Sequence, residues 1–376
     1  MATSTPLHDD LAALAQAGHL LAHCAPLLRA SPGSTHQAGH RLRAAWQRGE
    51  LIRLAARTFL PLDTWHAAPP WDRLLLAGTA FSLARPDTVM TGETAALFSG
   101  LPVSGLTGSG TAAELTVRAR RPSHRGPAPA TTLPVPSASS LSSRFALPHV
   151  RQLWDSPVYP GSATRRVTAK LNDGTVLPAV QCDGLGSIQL FLASRSSLRH
   201  SIPGLDALAR LAPDAAQRWA TVDVATLGAA TEGNSSPDST VRISAAAARR
   251  HAAAWAFADA RSESAGESLS RVLIHELGFV PPDLQVTVFD DDGTPLGRPD
   301  FLWKDVQVGG EFDGIGKYTM DFYATEHERR SAIAREKNRE VALRRRLRGL
   351  ARWTWEDLKD PRRLAAELDR HGVPRR

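Results

Sequence analysis

Between Arg298 and Tyr318 three of the four acidic residues form a tight arrangement, Asp300, Glu311 and Asp313, with Lys317 shortly after them. The stretch otherwise reads as two buried strands. Period-2 alternation puts Glu311 and Asp313 on one face of their strand and Phe312 on the other. If RPDFLW and VQVGGEF pair as a hairpin around Lys304 and Asp305, Asp300 comes beside Glu311. Carboxylates that meet at the end of a half-buried sheet repel one another unless something neutralises them. Mg²⁺ does so with a few carboxylate oxygens while keeping waters of its own. Such an ion polarises a phosphodiester and lowers the pKa of an attacking water. The chemistry expected is Mg²⁺-dependent phosphodiester hydrolysis. Asp300 and Glu311 would hold the metal, Glu267 would support a metal-bound water, and Lys317 would stabilise developing charge. Asp313 would be a third ligand or would hold the lysine. The bland alternative is an acidic patch with a structural salt bridge to Lys317.

The surrounding elements must bring these residues together. SAGESLSRVLIHELGF reads as an amphipathic helix, with Ser264 and Glu267 at capping-box spacing. LQVTVF, RPDFLW and VQVGGEF read as strands. A long Arg/Glu-rich helix follows from about Ala324 to Arg348, then GLARWTW as a strand and DPRRLAAELDRHG as a closing helix. The order is α-β-β-β-α-β-α. Trp353 and Trp355 alternate on one strand, one facing the core and the other covering the sheet or stacking on a base. Arg344, Arg345, Arg346 and Arg348 cluster where a helix dipole favours cations, and the same cluster suits a DNA backbone.

Pro299-Asp300, ten residues, then Glu311-Phe312-Asp313 resembles the P-D…(D/E)-x-K signature of the restriction-endonuclease-like PD-(D/E)XK superfamily. Glu-Phe-Asp-Gly before an Arg-rich helix and a Trp-x-Trp strand is more closely similar to the branch related to the very-short-patch repair (Vsr-like) endonuclease. The match runs from about Ser264 to Pro361. It implies an αβββαβ domain, and it places Glu267 where the first helix of that superfamily often contributes a glutamate. Asp313 stands at the position of the signature lysine, so Lys317 or Lys337 would have to substitute.

Near the N-terminus, HQAGHRLRAAWQRG reads as a helix and ELIRLAARTFLPL as a short hairpin. A helix carrying His40, Arg41 and Arg43, followed by a hairpin carrying Arg53 and Arg57, suggests a winged helix-turn-helix that binds DNA. The alternative is a small helical bundle with exposed arginines. TGETAALFSGLPV reads as a helix capped at Thr91 and stopped by Gly100. With the hairpin residues it resembles the N-terminal region of AbiEi-type antitoxins, repressors of abortive-infection operons. That resemblance implies DNA and a toxin or operon partner protein as partners.

The chain has 376 residues and a net charge of +7. Residues 326–376 hold 16 Lys+Arg against 9 Asp+Glu, so the remainder is neutral overall. A basic segment of this kind is a footprint for a polyanion or an Arg-rich solvated face. Two distant cysteines, Cys24 and Cys182, exclude a disulfide framework and a cysteine zinc site. No signal peptide or membrane-length apolar run is read, so a cytoplasmic protein that does not engage membrane is expected. The Gly-Lys at 316–317 lacks the rest of a P-loop, and His275-Glu276 lacks the second histidine of a zincin helix.

The expected fold is α+β multidomain. Residues 1–66 form a winged-helix-like module, 67–121 an AbiEi-like α/β region, and 122–146 a Pro/Ser-rich linker. Residues 147–260 form a middle α/β region and 261–376 the endonuclease-like domain. The expected function is DNA binding with a Mg²⁺-dependent endonuclease domain, in phage defence or a toxin–antitoxin setting. The alternative is a catalytically inactive DNA-binding regulator or antitoxin.

Overall fold

The computed structural model describes residues 6–32, 37–103, 114–118, 149–153, 159, 161–224, 243–314 and 326–376. The linker expected at 122–146 and Lys317 lie outside them. The chain is mixed α and β and divides into two compact units, 1–195 with 223–251, and 196–222 with 252–376. No helix among the described residues is long and apolar enough to cross a membrane.

In the first unit, α1 (Pro6–Gln16) and α2 (Gln37–Gln47) precede a hairpin of β1 (Leu51–Ala55) and β2 (Thr58–Pro61). The pairing is antiparallel, with Ile52 opposite Leu60 and Arg53 opposite Phe59. Ala38, Leu42 and Ala45 make the buried stripe of α2 at spacings of four and three. Leu42 and Ala45 close on Leu51 and Phe59, with Leu11, Leu20 and Leu28 at the edge. Burial of each such leucine contributes about 2 kcal/mol. This fixes α2 over the hairpin and leaves His40, Arg41 and Arg43 exposed.

The chain continues through α3 (Leu62–Ala67), α4 (Pro70–Ala84), β3 (Val89–Met90) and α5 (Gly92–Phe98). Next come β4 (Glu114–Arg118), β5 (His149–Leu153), β6 (Arg165–Val167), β7 (Val180–Cys182) and α6 (Leu185–Arg195). The five strands form one mixed sheet in the order β5-β4-β3-β7-β6. Gly100 is left-handed at φ +74°, as a helix stop requires. The expected Thr91 cap is corrected in detail. Its backbone holds the cap position, but its hydroxyl makes no capping bond and donates instead to buried Asp183 at 2.5 Å.

The second unit contains α7 (Leu198–Leu211), α8 (Pro213–Thr221) and the latter part of α9 (Ala245–Phe257). α10 (Ala265–Glu276) follows, with β8 (Asp283–Leu284), β9 (Val288–Phe289), β10 (Pro295–Gly297), β11 (Phe301–Trp303) and β12 (Val308–Asp313). The chain ends with α11 (Glu326–Arg346), β13 (Gly349–Thr354), α12 (Trp355–Lys359) and α13 (Pro361–Arg370). A four-stranded sheet runs β13-β12-β11-β8, in which β12 and β13 are parallel and the other pairs antiparallel. Parallel neighbours need a crossover, and α11 supplies it. Phe301, Trp303, Phe312, Ala351 and Trp353 fill the core beneath, with Leu273 and Ile274 of α10.

Two expectations change here. LQVTVF is not one strand. Gln285 takes a left-handed φ of +54°, so Leu284 pairs in the main sheet while Val288 and Phe289 pair with β10. Trp355 is not on the strand either. It opens α12 and meets Phe312 edge to face at 5.1 Å, while Trp353 donates its indole N–H to Ser270 at 2.8 Å.

Candidate functional site

Two regions hold the residues singled out above, one in each unit. The first lies at the end of β11 and β12. Phe301 pairs with Gly310, which sets Asp300 beside Glu311 at the next step of the hairpin. The Phe312 N–H donates to Asp300 Oδ2 at 2.9 Å. Gly266 lets the first turn of α10 reach the same place, since a Cβ there would lie 2.0 Å from the Phe312 ring. Glu267 therefore arrives as expected near Asp300, but the two do not touch directly. The Gln285 side-chain amide donates to Glu267 Oε2 at 2.9 Å and to Asp300 Oδ1 at 3.2 Å. Glu267 also caps its own helix, accepting from the Ser264 hydroxyl at 2.8 Å and from the Glu263 N–H at 2.8 Å.

Glu311 is 3% exposed and faces arginines. Arg339 of α11 lies 2.8 Å from its Oε1 and Arg352 of β13 lies 3.8 Å from its Oε2. The parallel register explains the second approach, because Glu311 and Arg352 are direct partners. Burial pushes the Glu311 carboxyl above its ordinary range. Arg339 and Arg352 pull it back, and the neighbouring Asp300 charge adds to the rise. Asp313 binds the Arg352 guanidinium with both oxygens, at 2.9 and 2.8 Å, and Arg352 Nη1 reaches Glu340 at 2.9 Å. The bidentate carboxylate is the chief reason the Arg352 pKa is raised further.

As these side chains stand, the oxygens do not fit a shared Mg²⁺. Each carboxylate proposed as a ligand already faces a donor, and two guanidinium groups hold the positive charge. Among the described residues no three His, Cys, Asp or Glu side chains converge as a metal-binding group. Lys337 is exposed, and Asp313 serves Arg352. The sequence reading missed Gln285, Arg339 and Arg352. Arg352 had a readable signal, since it alternates with buried Trp353 on a strand parallel to the acidic one. Of the arginines at the end of α11, Arg344 pairs with Glu340 at 2.8 Å, and Arg346 reaches the Phe289 carbonyl at 3.3 Å. Arg345 and Arg348 are exposed.

The second region is a cavity of about 630 Å³ between α2, the β1–β2 hairpin and the segment around Arg29. Arg29, His40, Arg43, Trp46, Arg53 and Arg57 line it, and none of its lining residues among the described ones is acidic. His40 and Arg43 share one face of α2 at a spacing of three. The Arg53 guanidinium lies 5.7 Å from the centre of the Trp46 ring, and its buried Nε has no hydrogen-bond partner among the described residues. Arg57 sits at the hairpin turn with φ +57°, and Arg29 donates to the Thr58 hydroxyl at 3.0 Å. Arg41 is exposed but does not line the cavity. Arg29 and Trp46 were not anticipated as members.

No protein-family model matches the chain, and no solved structure matches it. Over 116 residues it is 31% identical to uncharacterized proteins of Mycobacterium tuberculosis, from strains CDC 1551 / Oshkosh and ATCC 25618 / H37Rv. The similarity takes in 31% of this chain and spans 39% of the length of each of those relatives.

Proposed function

We propose that this chain is a DNA-binding regulator of the antitoxin or repressor kind, with a nuclease-like C-terminal domain that does not cleave. α2 and the β1–β2 hairpin act as a winged helix-turn-helix, and the arginines around the cavity neutralise backbone phosphates. The observation that carries this reading is the cavity itself, a concave site with four arginines and a histidine and, among the described residues, no lining carboxylate. Cations gathered on one concave wall repel one another, and a polyanion relieves that repulsion. Base contacts would come from the exposed face of α2, where His40, Arg41 and Arg43 project. A toxin or operon partner protein is the companion that the N-terminal resemblance implies.

The test is duplex binding by fluorescence anisotropy across a salt series. Affinity is expected to fall steeply with salt, with a log–log slope of about −0.9 for each phosphate neutralised. A flat salt response, or equal binding after loss of Arg43, Arg53 and Arg57, would remove the reading.

A second reading, Mg²⁺-dependent endonuclease, draws support from the Asp300–Glu311 adjacency and from the order of elements after α10. It requires Arg339 to leave Glu311 and a lysine to enter. Plasmid nicking in Mg²⁺ that disappears in both Asp300→Ala and Glu311→Ala would establish it over the first.

A further inference from the structure

A carboxylate as buried as that of Glu311 does not persist as an anion without a compensating positive charge. That charge comes either from a dication taken out of solution or from the chain. We infer that Arg339 is the resident cation of the carboxylate cleft, so that the domain is complete without a metal and closed to divalent ions. This goes beyond the DNA-binding reading and does not depend on it.

Three observations carry the inference. Arg339 reaches Glu311 from α11 and Arg352 reaches it from β13, so guanidinium groups come from two elements. The ground between Glu267 and Asp300 is filled by the amide of Gln285, which donates to both. A dication placed there would face N–H groups rather than lone pairs. Finally, the other oxygens of these two carboxylates are also engaged, Asp300 Oδ2 by the Phe312 N–H and Glu267 Oε1 by the Ser264 hydroxyl. A hard ion needs several oxygens turned toward it at once, and here they are turned toward donors.

Mn²⁺ titrated into the full chain, with free aqua ion followed by electron paramagnetic resonance, tests this directly. Wild type is expected to take up no ion that depends on Glu311. Arg339→Gln removes the guanidinium charge, which leaves the Gln285 amide able to turn its carbonyl oxygen to an ion and release the Glu267 and Asp300 oxygens it now occupies. This variant is expected to gain one Mn²⁺ per chain, and adding Glu311→Gln is expected to abolish that gain. Wild-type uptake that Glu311→Gln leaves unchanged belongs elsewhere, such as the Asp290–Asp292 turn, and agrees with a closed cleft. Wild-type uptake that Glu311→Gln abolishes overturns the inference, as does a folded Arg339→Gln that binds nothing more than wild type. If Arg339→Gln does not fold, melting of the wild type decides. An unchanged midpoint in Mn²⁺ supports the resident cation, and a rise that Glu311→Gln removes refutes it.

Discussion

The cavity beside α2 and the cleft at the end of β12 are both rich in arginine, but they use it in opposite ways. In the cleft, Arg339 and Arg352 are set against Glu311, Asp313 and Glu340, and the charges close on one another. In the cavity, Arg29, Arg43, Arg53 and Arg57 share a wall with His40, and no lining residue among the described ones is a carboxylate. The segment count of charge points the other way. Residues 326–376 carry the whole formal surplus, and the rest of the chain is neutral. Many C-terminal cations are nevertheless paired at home, as in Arg344–Glu340, Lys359–Glu356, Arg370–Glu367 and Arg375–Asp369. Net charge along a segment therefore says less about a polyanion site than the local absence of acids around a concave surface.

The largest expected effect tests that contrast directly. Replacing Arg43, Arg53 and Arg57 together with alanine should lower duplex affinity by about 10²-fold or more and flatten the salt slope by about 2.7. Arg345→Ala with Arg348→Ala should change affinity only a few-fold. Anisotropy on the same duplex compares the two sets. If the C-terminal pair matters more, the roles of the two regions are reversed.

The cleft should show its arginine dependence in stability instead. Arg352 holds Asp313 with two hydrogen bonds and Glu340 with a third, while facing Glu311. Arg352→Ala leaves those carboxylates crowded without their shared cation, at an expected cost of about 3 kcal/mol. Urea unfolding measures it. A loss below that of ordinary surface substitutions, about 0.5 kcal/mol, would mean that the network contributes little.

Much of this arrangement was legible in the sequence, and what was missed has a physical reason. The Asp300–Glu311 meeting follows from period-2 alternation and a short hairpin, both local properties. The capping box sets Glu267 at the start of its helix, also locally, but its place near Asp300 was implied by the superfamily resemblance and depends on Gly266 packing against Phe312. The partners of the carboxylates are not local. Arg352 meets Glu311 only because β12 and β13 run parallel in one particular register, and Arg339 only because α11 returns over the sheet. Gln285 becomes a bridge because its backbone turns left-handed and breaks a strand that the pattern reads as continuous. The cavity has the same character. His40, Arg43, Arg53 and Arg57 stand out by position in a helix and hairpin, whereas Arg29 joins them because Leu28 bridges to Phe59.

A smaller difference concerns pH. Burial, set against Arg339 and Arg352, leaves the Glu311 carboxyl above the ordinary glutamate range, so just above that range the fold binds more proton than the unfolded chain does. The stabilising contribution of that group is present below the unfolded pKa and is lost as pH rises through the folded one. Glu311→Gln imitates the protonated form and should remove this part of the decline, leaving a flatter profile of unfolding midpoint against pH above 4.5, the ordinary value. An unchanged profile would mean that Glu311 is fully ionised in the fold and matched by Arg339.

The smallest effect separates stability from binding at a single residue. Arg57 occupies the hairpin turn at φ +57°, a conformation that a residue with a Cβ adopts at a cost of about 1 kcal/mol. Glycine carries no such penalty there, although it loses more entropy on folding. Arg57→Gly should thus raise stability by up to about 0.5 kcal/mol, in urea unfolding, while lowering duplex affinity a few-fold. Arg352→Ala should do the reverse, weakening the fold and leaving duplex affinity within about twofold. Opposite signs at these two arginines would mark one as kept for a partner and the other for the fold. If Arg57→Gly left affinity unchanged, the turn residue would be a structural accident, and the cavity's phosphate contacts would fall to Arg29, Arg43 and Arg53.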